Sequence, residues 1–305
     1  MNILFIGLPY FSKKLSEALA IYDTSLQCSS LTIKNGLLGR LALYCGVFRC
    51  DLVYSVSGTI STRGTTIFDF ALALRKKLIM HWVGTDVLEA ISAFKSGKYK
   101  SKFLNDIIHY CEVGWIQEEL RQIGIAATVV PFASFDGKIA VKAEFPPTFS
   151  ILTYVSSGRE QFYGIDMLIQ LAKDFPDVAI KIVGISVYSE KLPNNITLLG
   201  WVEDMAGQYA TSVLYLRVPE HDGLAFSVLE ALANGRYVGY SYPFENTFHV
   251  RNYEDLKGLV TDLKASFENG DLSVNYKGMS MISMNYDKET VFENLIKRIK
   301  AVHNG

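Results

Sequence analysis

Short apolar runs alternate along this chain with stretches whose apolar positions recur every three or four residues, the pattern of parallel strands covered by helices. In the first half, runs at 3–6, 52–56, 78–81, 112–116 and 127–130 read as strands, and a helix is expected near 13–22. After Pro131 the chain is irregular over 133–150, with Gly137, Pro146 and Pro147, which makes this the best candidate boundary. A second series follows, with strands at 150–155, 178–183, 196–199, 213–216 and 237–240 and helices near 164–174, 203–210 and 223–234. Near the end, Val291, Leu295, Ile296, Ile299 and Val302 keep helical spacing through 288–303. No solenoid repeat and no low-complexity tail is present. The expected class is α/β, two doubly wound Rossmann-like domains.

Composition narrows the partners more than the fold. With 305 residues, 49% hydrophobic and 20% charged, the chain has material for two cores. The net charge of -1 argues against nucleic acid as the main partner. Residues 1–148 carry 16 Lys+Arg against 12 Asp+Glu and the remainder 14 against 19, so an anionic acceptor or membrane surface would suit the first domain. Cys28, Cys45, Cys50 and Cys111 form no Cys-x-x-Cys pair and read as buried or free thiols of a reducing compartment. Residues 2–11 are apolar, but Lys13 and Lys14 follow them, the wrong order for a signal peptide, so a cytoplasmic location is expected.

The richest chemistry lies at 220–235, Glu-His-Asp-Gly-Leu-Ala-Phe-Ser-Val-Leu-Glu-Ala-Leu-Ala-Asn-Gly. Val213-Leu214-Tyr215-Leu216 is a short strand-type run, Asp222 can N-cap a following helix, and Gly235 can end it. A helix N-terminus at the carboxyl end of a strand favours a phosphate, and Gly223 would let one approach closely. Glu230 shares a helix face with Ser227 and Asn234, where its carboxylate can accept hydrogen bonds from ribose hydroxyls. The same letters also fit a surface helix that begins with Asp-Gly and carries a glutamate.

Asp222 and Glu230 stand eight positions apart, which resembles the acid-x7-acid signature of retaining family 4 glycosyltransferases with the GT-B fold. The resemblance is closest to the subset reading His-Asp-Gly-Leu-Ser-x-x-Val-Leu-Glu-Ala-Leu. Here Ala225 replaces the usual Ser, and Asp222 replaces the commoner Glu with a shorter reach. Tyr154 to Gly164 is similar to the family's first strand and phosphate loop, where a paired Arg and Lys precede the Gly; Arg159 remains, and Tyr163 stands where many relatives have Lys. Gly200-Trp201-Val202-Glu203-Asp204-Met205 is similar to the loop on which the base rests. In the first half, Met80-His81-Trp82-Val83-Gly84-Thr85-Asp86 is similar to a His-Trp-x-Gly-x-Asp segment that faces the cleft.

From this resemblance follow a GT-B fold, with domains at 1–145 and 146–285 facing a cleft and the last segment, 286–305, crossing back to the first domain. It implies catalytic roles for His81, Arg159 and Asp222. Contacts to the donor nucleotide are implied at Gly7, Gly84, Tyr163, Gly164, Trp201, Val202, Gly223, Leu224 and Glu230. Plainer readings stand beside several of these. His81 also fits a satisfied core residue, Asp86 an N-cap with Glu89 at N3, Arg159 a solvated loop residue and Trp201 a buried aromatic. Lys95, Lys98, Lys100 and Lys102, interleaved with Phe94, Tyr99 and Phe103, fit either an anionic lipid contact or a solvated basic loop.

No Cys-x-x-Cys or His-x-Glu ligand pair, Asp-x-Asp motif, Gly-x-Ser-x-Gly elbow or Walker loop is present, so no metal or other cofactor is expected. The expected function is retaining, metal-independent transfer of a sugar from a nucleoside diphosphate sugar to an acceptor alcohol on a glycan or lipid-linked glycan, with peripheral contact at the inner face of a membrane. A catalytically silent module binding glycan or a protein partner, and a nucleotide-sugar epimerase, are the alternatives.

Overall fold

The computed structural model describes residues 1–32, 37–135, 137 and 143–304. The chain divides into two compact units, Met1–Ala133 together with the last helix, and Ser134–Asp287. Of the irregular stretch expected at 133–150, residues 136 and 138–142 lie outside the described residues.

Unit 1 runs β1 (Asn2–Gly7), α1 (Pro9–Tyr22), β2 (Gln27–Ser30), α2 (Leu37–Arg49), β3 (Leu52–Val56), α3 (Thr66–Ala73), β4 (Lys77–Trp82), α4 (Asp86–Lys95), α5 (Lys102–Asn105), β5 (Ile108–Cys111), α6 (Gly114–Arg121) and β6 (Ala127–Val129). The strands form a parallel sheet in the order β2-β1-β3-β4-β5-β6. Because helices cover both faces of such a sheet, its central strands read as near-continuous apolar runs; Ile3 to Ile6 and all of Leu52–Val56 are buried. Gly7 has φ 103°, and a Cβ there would sit 2.0 Å from the Val56 carbonyl oxygen, so only glycine lets β1 leave the sheet this close to β3.

Unit 2 runs β7 (Ser150–Tyr154), α7 (Ile165–Asp174), β8 (Ala179–Val183), β9 (Ile196–Gly200), α8 (Met205–Ala210), β10 (Leu214–Arg217), α9 (Phe226–Ala233), β11 (Tyr237–Tyr240), β12 (Phe248–His249), α10 (Tyr253–Glu268) and α11 (Tyr276–Asn285). Its parallel sheet has the order β12-β11-β10-β7-β8-β9. Ile151, Ile180, Ile182, Leu214 and Leu216 from the strands meet Leu168, Leu171, Leu256 and Val260 from the helices in one core. The last helix, α12 (Lys288–Asn304), belongs to unit 1: Phe292 packs its ring 5.6 Å from that of Tyr22, and Lys300 pairs with Asp23.

Two expectations are corrected. The strand read at 112–116 is the start of α6; the strand before it is β5, whose His109 and Tyr110 are buried polar-tipped side chains that break an apolar pattern. The helix read at 223–234 begins only at Phe226. No helix among the described residues is long and apolar enough to cross a membrane.

Candidate functional site

In unit 2 the chain builds β7, β8 and β9 in one direction and then returns to lay β10, β11 and β12 on the other side of β7. The reversal between β7 and β10 is the topological switch point, where the carboxyl ends of an open parallel sheet leave a crevice for a ligand. The two loops that leave these strands are tied together. The Thr153 hydroxyl donates to the Leu216 carbonyl at 2.9 Å, and the Glu220 N–H donates to the Phe162 carbonyl at 2.9 Å. Gly164 caps α7 with φ 75°, and a Cβ on it would lie 3.0 Å from the Val218 carbonyl oxygen.

Two guanidinium groups meet one tyrosine ring at this point. Arg159 is exposed, with its guanidinium 4.0 Å from the Phe162 ring centroid and 5.7 Å from that of Tyr163. Arg217, the last residue of β10, lies 4.9 Å from the Tyr163 centroid and 5.5 Å from that of Tyr154. Tyr163, standing where the resemblance led us to look for a lysine, is thus flanked by two cations. Arg217 was not foreseen from the sequence. The available signal was a lone cation closing the apolar run Val-Leu-Tyr-Leu, five residues before Asp222.

Arg217 holds Asp222 in a two-pronged pair, Nε to Oδ2 at 2.7 Å and an Nη to Oδ1 at 3.2 Å. Burial alone would push the guanidinium toward neutrality, but the Asp222 carboxylate outweighs it and keeps Arg217 charged. Asp222 is therefore not the N-cap of α9. Its carboxylate is committed to Arg217, the Tyr240 hydroxyl donates to the Gly223 carbonyl, and the connection stays extended up to the cap, Ala225. The first turn of α9 follows, with the Val228 N–H donating to the Ala225 carbonyl at 3.0 Å.

Glu230 is half-buried on α9, and the Tyr209 hydroxyl donates to its Oε2 at 3.0 Å. Burial, followed by the neighbouring Tyr215 and Glu230, pushes the Tyr209 hydroxyl well above its ordinary pKa, so it remains a donor. The Tyr215 hydroxyl donates to Ser227 Oγ at 2.7 Å, and the Asn234 amide donates to the Glu230 carbonyl at 2.8 Å. Ser227, Glu230 and Asn234 share one face, as the spacing predicted. Gly223 and Leu224 are buried beside it. Trp201 and Val202 follow β9, the edge strand two places from β7; Trp201 is 85% exposed, not a core aromatic.

Unit 1 has its own switch point, between β1 and β3. Gly7 closes β1 there. His81, on β4, is entirely buried, with Nδ1 against the Tyr54 hydroxyl and Nε2 2.9 Å from Glu112 Oε1. Glu112 is buried too and accepts the backbone N–H groups of Phe132 and Ala133 at 3.2 Å and 3.1 Å. His81 thus lies in the core of unit 1, with Nδ1 against Tyr54 and Nε2 beside Glu112 but without a hydrogen-bond partner among the described residues. Asp86 does not cap α4 but is its first residue. Its buried carboxylate accepts the N–H of Gly58 at 2.7 Å and of Gly84 at 2.8 Å, fastening the β3 exit to the β4 exit. Of the cationic run, Lys100 and Lys102 both pair with Asp69, and Phe103 is buried beneath them.

No protein-family model and no curated protein matches the chain. Several solved structures share its fold. Sucrose-phosphate synthase from Thermosynechococcus elongatus superposes with a TM-score of 0.72 at 12% identity, over 100% of this chain and 99% of that one. A glycosyltransferase from Rickettsia africae gives 0.69 at 12% identity, over 99% and 98%. HepE from Anabaena, solved with UDP and glucose, gives 0.66 at 14% identity, over 99% and 100%. Along essentially its whole length the chain has the two-unit α/β fold of these glycosyltransferase structures.

Proposed function

We propose that the protein is a retaining glycosyltransferase that moves a sugar from a nucleoside diphosphate sugar to an acceptor alcohol without a metal ion. The observation that carries this reading is the convergence, at the β7/β10 switch point, of Arg159 and Arg217 on Tyr163 beside the start of α9 and the anchored carboxylate of Glu230. A diphosphate suits the helix start and the exposed guanidinium of Arg159. Glu230, its carboxylate oriented by Tyr209, suits the ribose hydroxyls. Gly164, Gly223 and Tyr163 let the nucleotide lie close, and Trp201 and Val202 form the base side. The Anabaena neighbour, solved with UDP and glucose, fits a ligand of this class.

In the proposed reaction the bond between the anomeric carbon and the diphosphate breaks, and its electron pair leaves with the diphosphate. Arg159 and the α9 N-terminus meet that growing charge. The acceptor oxygen bonds to the anomeric carbon on the face the diphosphate leaves, and a diphosphate oxygen takes the acceptor proton. Arg217 holds Asp222 at the sugar end, where its shorter side chain is fixed in place before the donor arrives. The acceptor is a glycan or lipid-linked alcohol. One observation favours a silent binding module instead: the Asp222 carboxylate is already taken by Arg217.

The test is calorimetric titration with UDP and GDP in the presence of a chelator, followed by NMR analysis of products from the matching sugar donor and an acceptor pool. Binding without metal and a product of unchanged anomeric configuration are expected, and Glu230→Ala should weaken nucleotide binding by about 1 to 3 kcal/mol. An inverted product would overturn the retaining mechanism. Binding without any transfer would establish the silent module, and an epimerised donor without a glycosylated acceptor would end the transferase reading.

A further inference from the structure

Three of the described residues other than glycine have a positive φ, and Ser57 is the outlier among them. Arg75, at 56°, and Asn246, at 59°, sit in the narrow left-handed well: Arg75 closes α3, with the Lys76 N–H returning to the Ala71 carbonyl at 2.9 Å, and asparagine tolerates the well through its short polar side chain. Ser57, at 92°, lies beyond that well, where β3 leaves the sheet beside the reversal between β1 and β3. Glycine would take this conformation freely. A serine persists in it only where its surroundings leave the backbone no other course.

Those surroundings come from β3, β4 and α4. The Ser57 N–H donates to the His81 carbonyl at 2.9 Å, and the Ser57 carbonyl accepts the Ser55 hydroxyl at 2.8 Å. The next N–H, that of Gly58, donates to the buried Asp86 carboxylate at 2.7 Å, and Gly58 lies so close to the Trp82 ring that a Cβ would come within 2.3 Å of it. The backbone of the turn is thus fixed. The Ser57 hydroxyl, on a half-buried side chain, hydrogen-bonds to nothing among the described residues. Beyond it the chain lines, together with α4, a groove of about 580 Å³ with Thr59, Ser61, Glu89, Ser92 and Lys98 on its walls. The Ser61 N–H donates to Thr59 Oγ1 at 3.2 Å, which leaves the Thr59 proton for another acceptor. At the same end of the sheet the Tyr10 ring is 70% exposed in the first turn of α1, and the Leu8 N–H ties that loop to the Val56 carbonyl at 3.0 Å.

We propose that this exit of unit 1 binds a neutral sugar, with the Ser57 hydroxyl hydrogen-bonding one of its hydroxyls and the groove taking the rest of the glycan. Side chains that donate and accept in turn, with an exposed aromatic ring close by, suit a sugar. An anionic ligand would ask for more than the one cation on the groove walls, Lys98, which stands there with Glu89; a lipid chain would ask for walls without these polar groups. Asp86 is then a positioning residue, because its buried carboxylate holds Gly58 and through it the turn that carries Ser57. In the proposed transfer this sugar is the acceptor, a role that rests on the transferase reading; the binding of the sugar does not.

The experiment is saturation-transfer NMR of the full chain with the methyl glycosides of glucose, galactose, mannose and N-acetylglucosamine and with disaccharides of these sugars, alongside melting temperatures and UDP titration. At least one sugar of the panel should bind the parent. Ser57→Gly should raise the melting temperature by about 2 to 4 °C, because it relieves the backbone, and should lower the affinity for that sugar about tenfold, because it removes the hydroxyl. Ser57→Ala keeps the strain, so it should show the same loss of affinity at the parental melting temperature. Ser92→Trp, at an exposed position on the groove wall, should weaken the sugar about tenfold with the fold intact. All three variants should bind UDP like the parent. Opposite signs in stability and binding for Ser57→Gly are what a turn residue without a ligand would not give. No binding of any sugar to the parent would overturn the proposal, as would parental sugar affinity in Ser57→Gly, Ser57→Ala or Ser92→Trp, or a Ser57→Gly protein no more stable than the parent. A failed UDP titration with sugar binding intact would count against the transferase alone.

Discussion

Both units are parallel six-stranded sheets that reverse beside their first strand, yet they treat the polar groups near that point in opposite ways. In unit 1 those groups are turned inward and buried together. Tyr54, His81 and Glu112 form a buried chain, the Asp86 carboxylate is spent on backbone N–H groups, and the Trp82 indole donates to His109, whose other nitrogen faces the Phe103 carbonyl. In unit 2 the corresponding groups are anchored from behind and left partly open. Glu230 and Asp222 are half-buried, with Tyr209 and Arg217 holding them, and Arg159 stands in solvent. A polar residue at a strand end is thus a site candidate only when its supports come from one side. Unit 1 uses its polar groups for internal order, and unit 2 presents them.

The contrast breaks most sharply at Glu112. Glu112→Ala strips His81 and two backbone N–H groups of a buried acceptor, and the expected loss is about 3 to 5 kcal/mol of stability. Nucleotide affinity per folded molecule should not change. Chemical denaturation alongside UDP titration checks both, and a stable variant that had lost UDP binding would place the unit 1 chain in the site after all.

A second test uses pH. Burial, opposed by hydrogen bonding of the ring to the Phe103 and Leu104 carbonyls, pulls the His109 imidazole from its usual 6.5 down to about 4. Its Nδ1 accepts from the Trp82 indole and its Nε2–H donates to Phe103, so the ring is neutral when folded. The unfolded chain takes the proton first. The stabilisation is therefore complete above pH 6.5 and is lost as the pH falls toward 4, a contribution of about 3 kcal/mol. Urea midpoints at both ends of that window should separate for the parent and draw together for His109→Gln. An equal separation in the variant would assign the pH dependence elsewhere.

The two arginines of unit 2 sharpen the comparison within one site. Arg159→Ala should lower transfer by about 100-fold, the scale of removing one electrostatic stabiliser, and leave the melting temperature alone. Arg217→Met should destabilise the fold by about 2 to 3 kcal/mol, because it strands the Asp222 carboxylate, and Arg217→Met with Asp222→Asn should recover most of that loss. If the two single variants behaved alike, the distinction between a presented cation and a supporting one would fail.

The sheet in each unit was legible from pattern because buried parallel strands are short, mostly apolar runs, unbroken in Ile3 to Ile6 and interrupted only by Ser55 in Leu52–Val56. Elements near the surface were harder. The strand Gln27–Ser30 has an exposed-and-half-buried pattern with no apolar run, and α2 is apolar on both sides and carries two glycines, so neither announces its period. The Asp-Gly at 222–223 looked like a helix start because sequence shows the side chain that could cap and not the arginine that takes it.

Composition and spacing by themselves determined the α/β class, the two series of strands, the glycine turn after β1, and the shared face of Ser227, Glu230 and Asn234, since these depend on local stereochemistry and on a period of two or 3.6 residues. Tertiary structure alone decided that His81 lies buried between Tyr54 and Glu112, that Arg217 replaces a helix N-terminus as the partner of Asp222, and that Leu38, Leu41 and Phe48 of α2 stay exposed. Each of those outcomes depends on which groups lie within a few ångströms across strands far apart in sequence. Desolvation then commits a buried polar side chain to whichever partner it meets there.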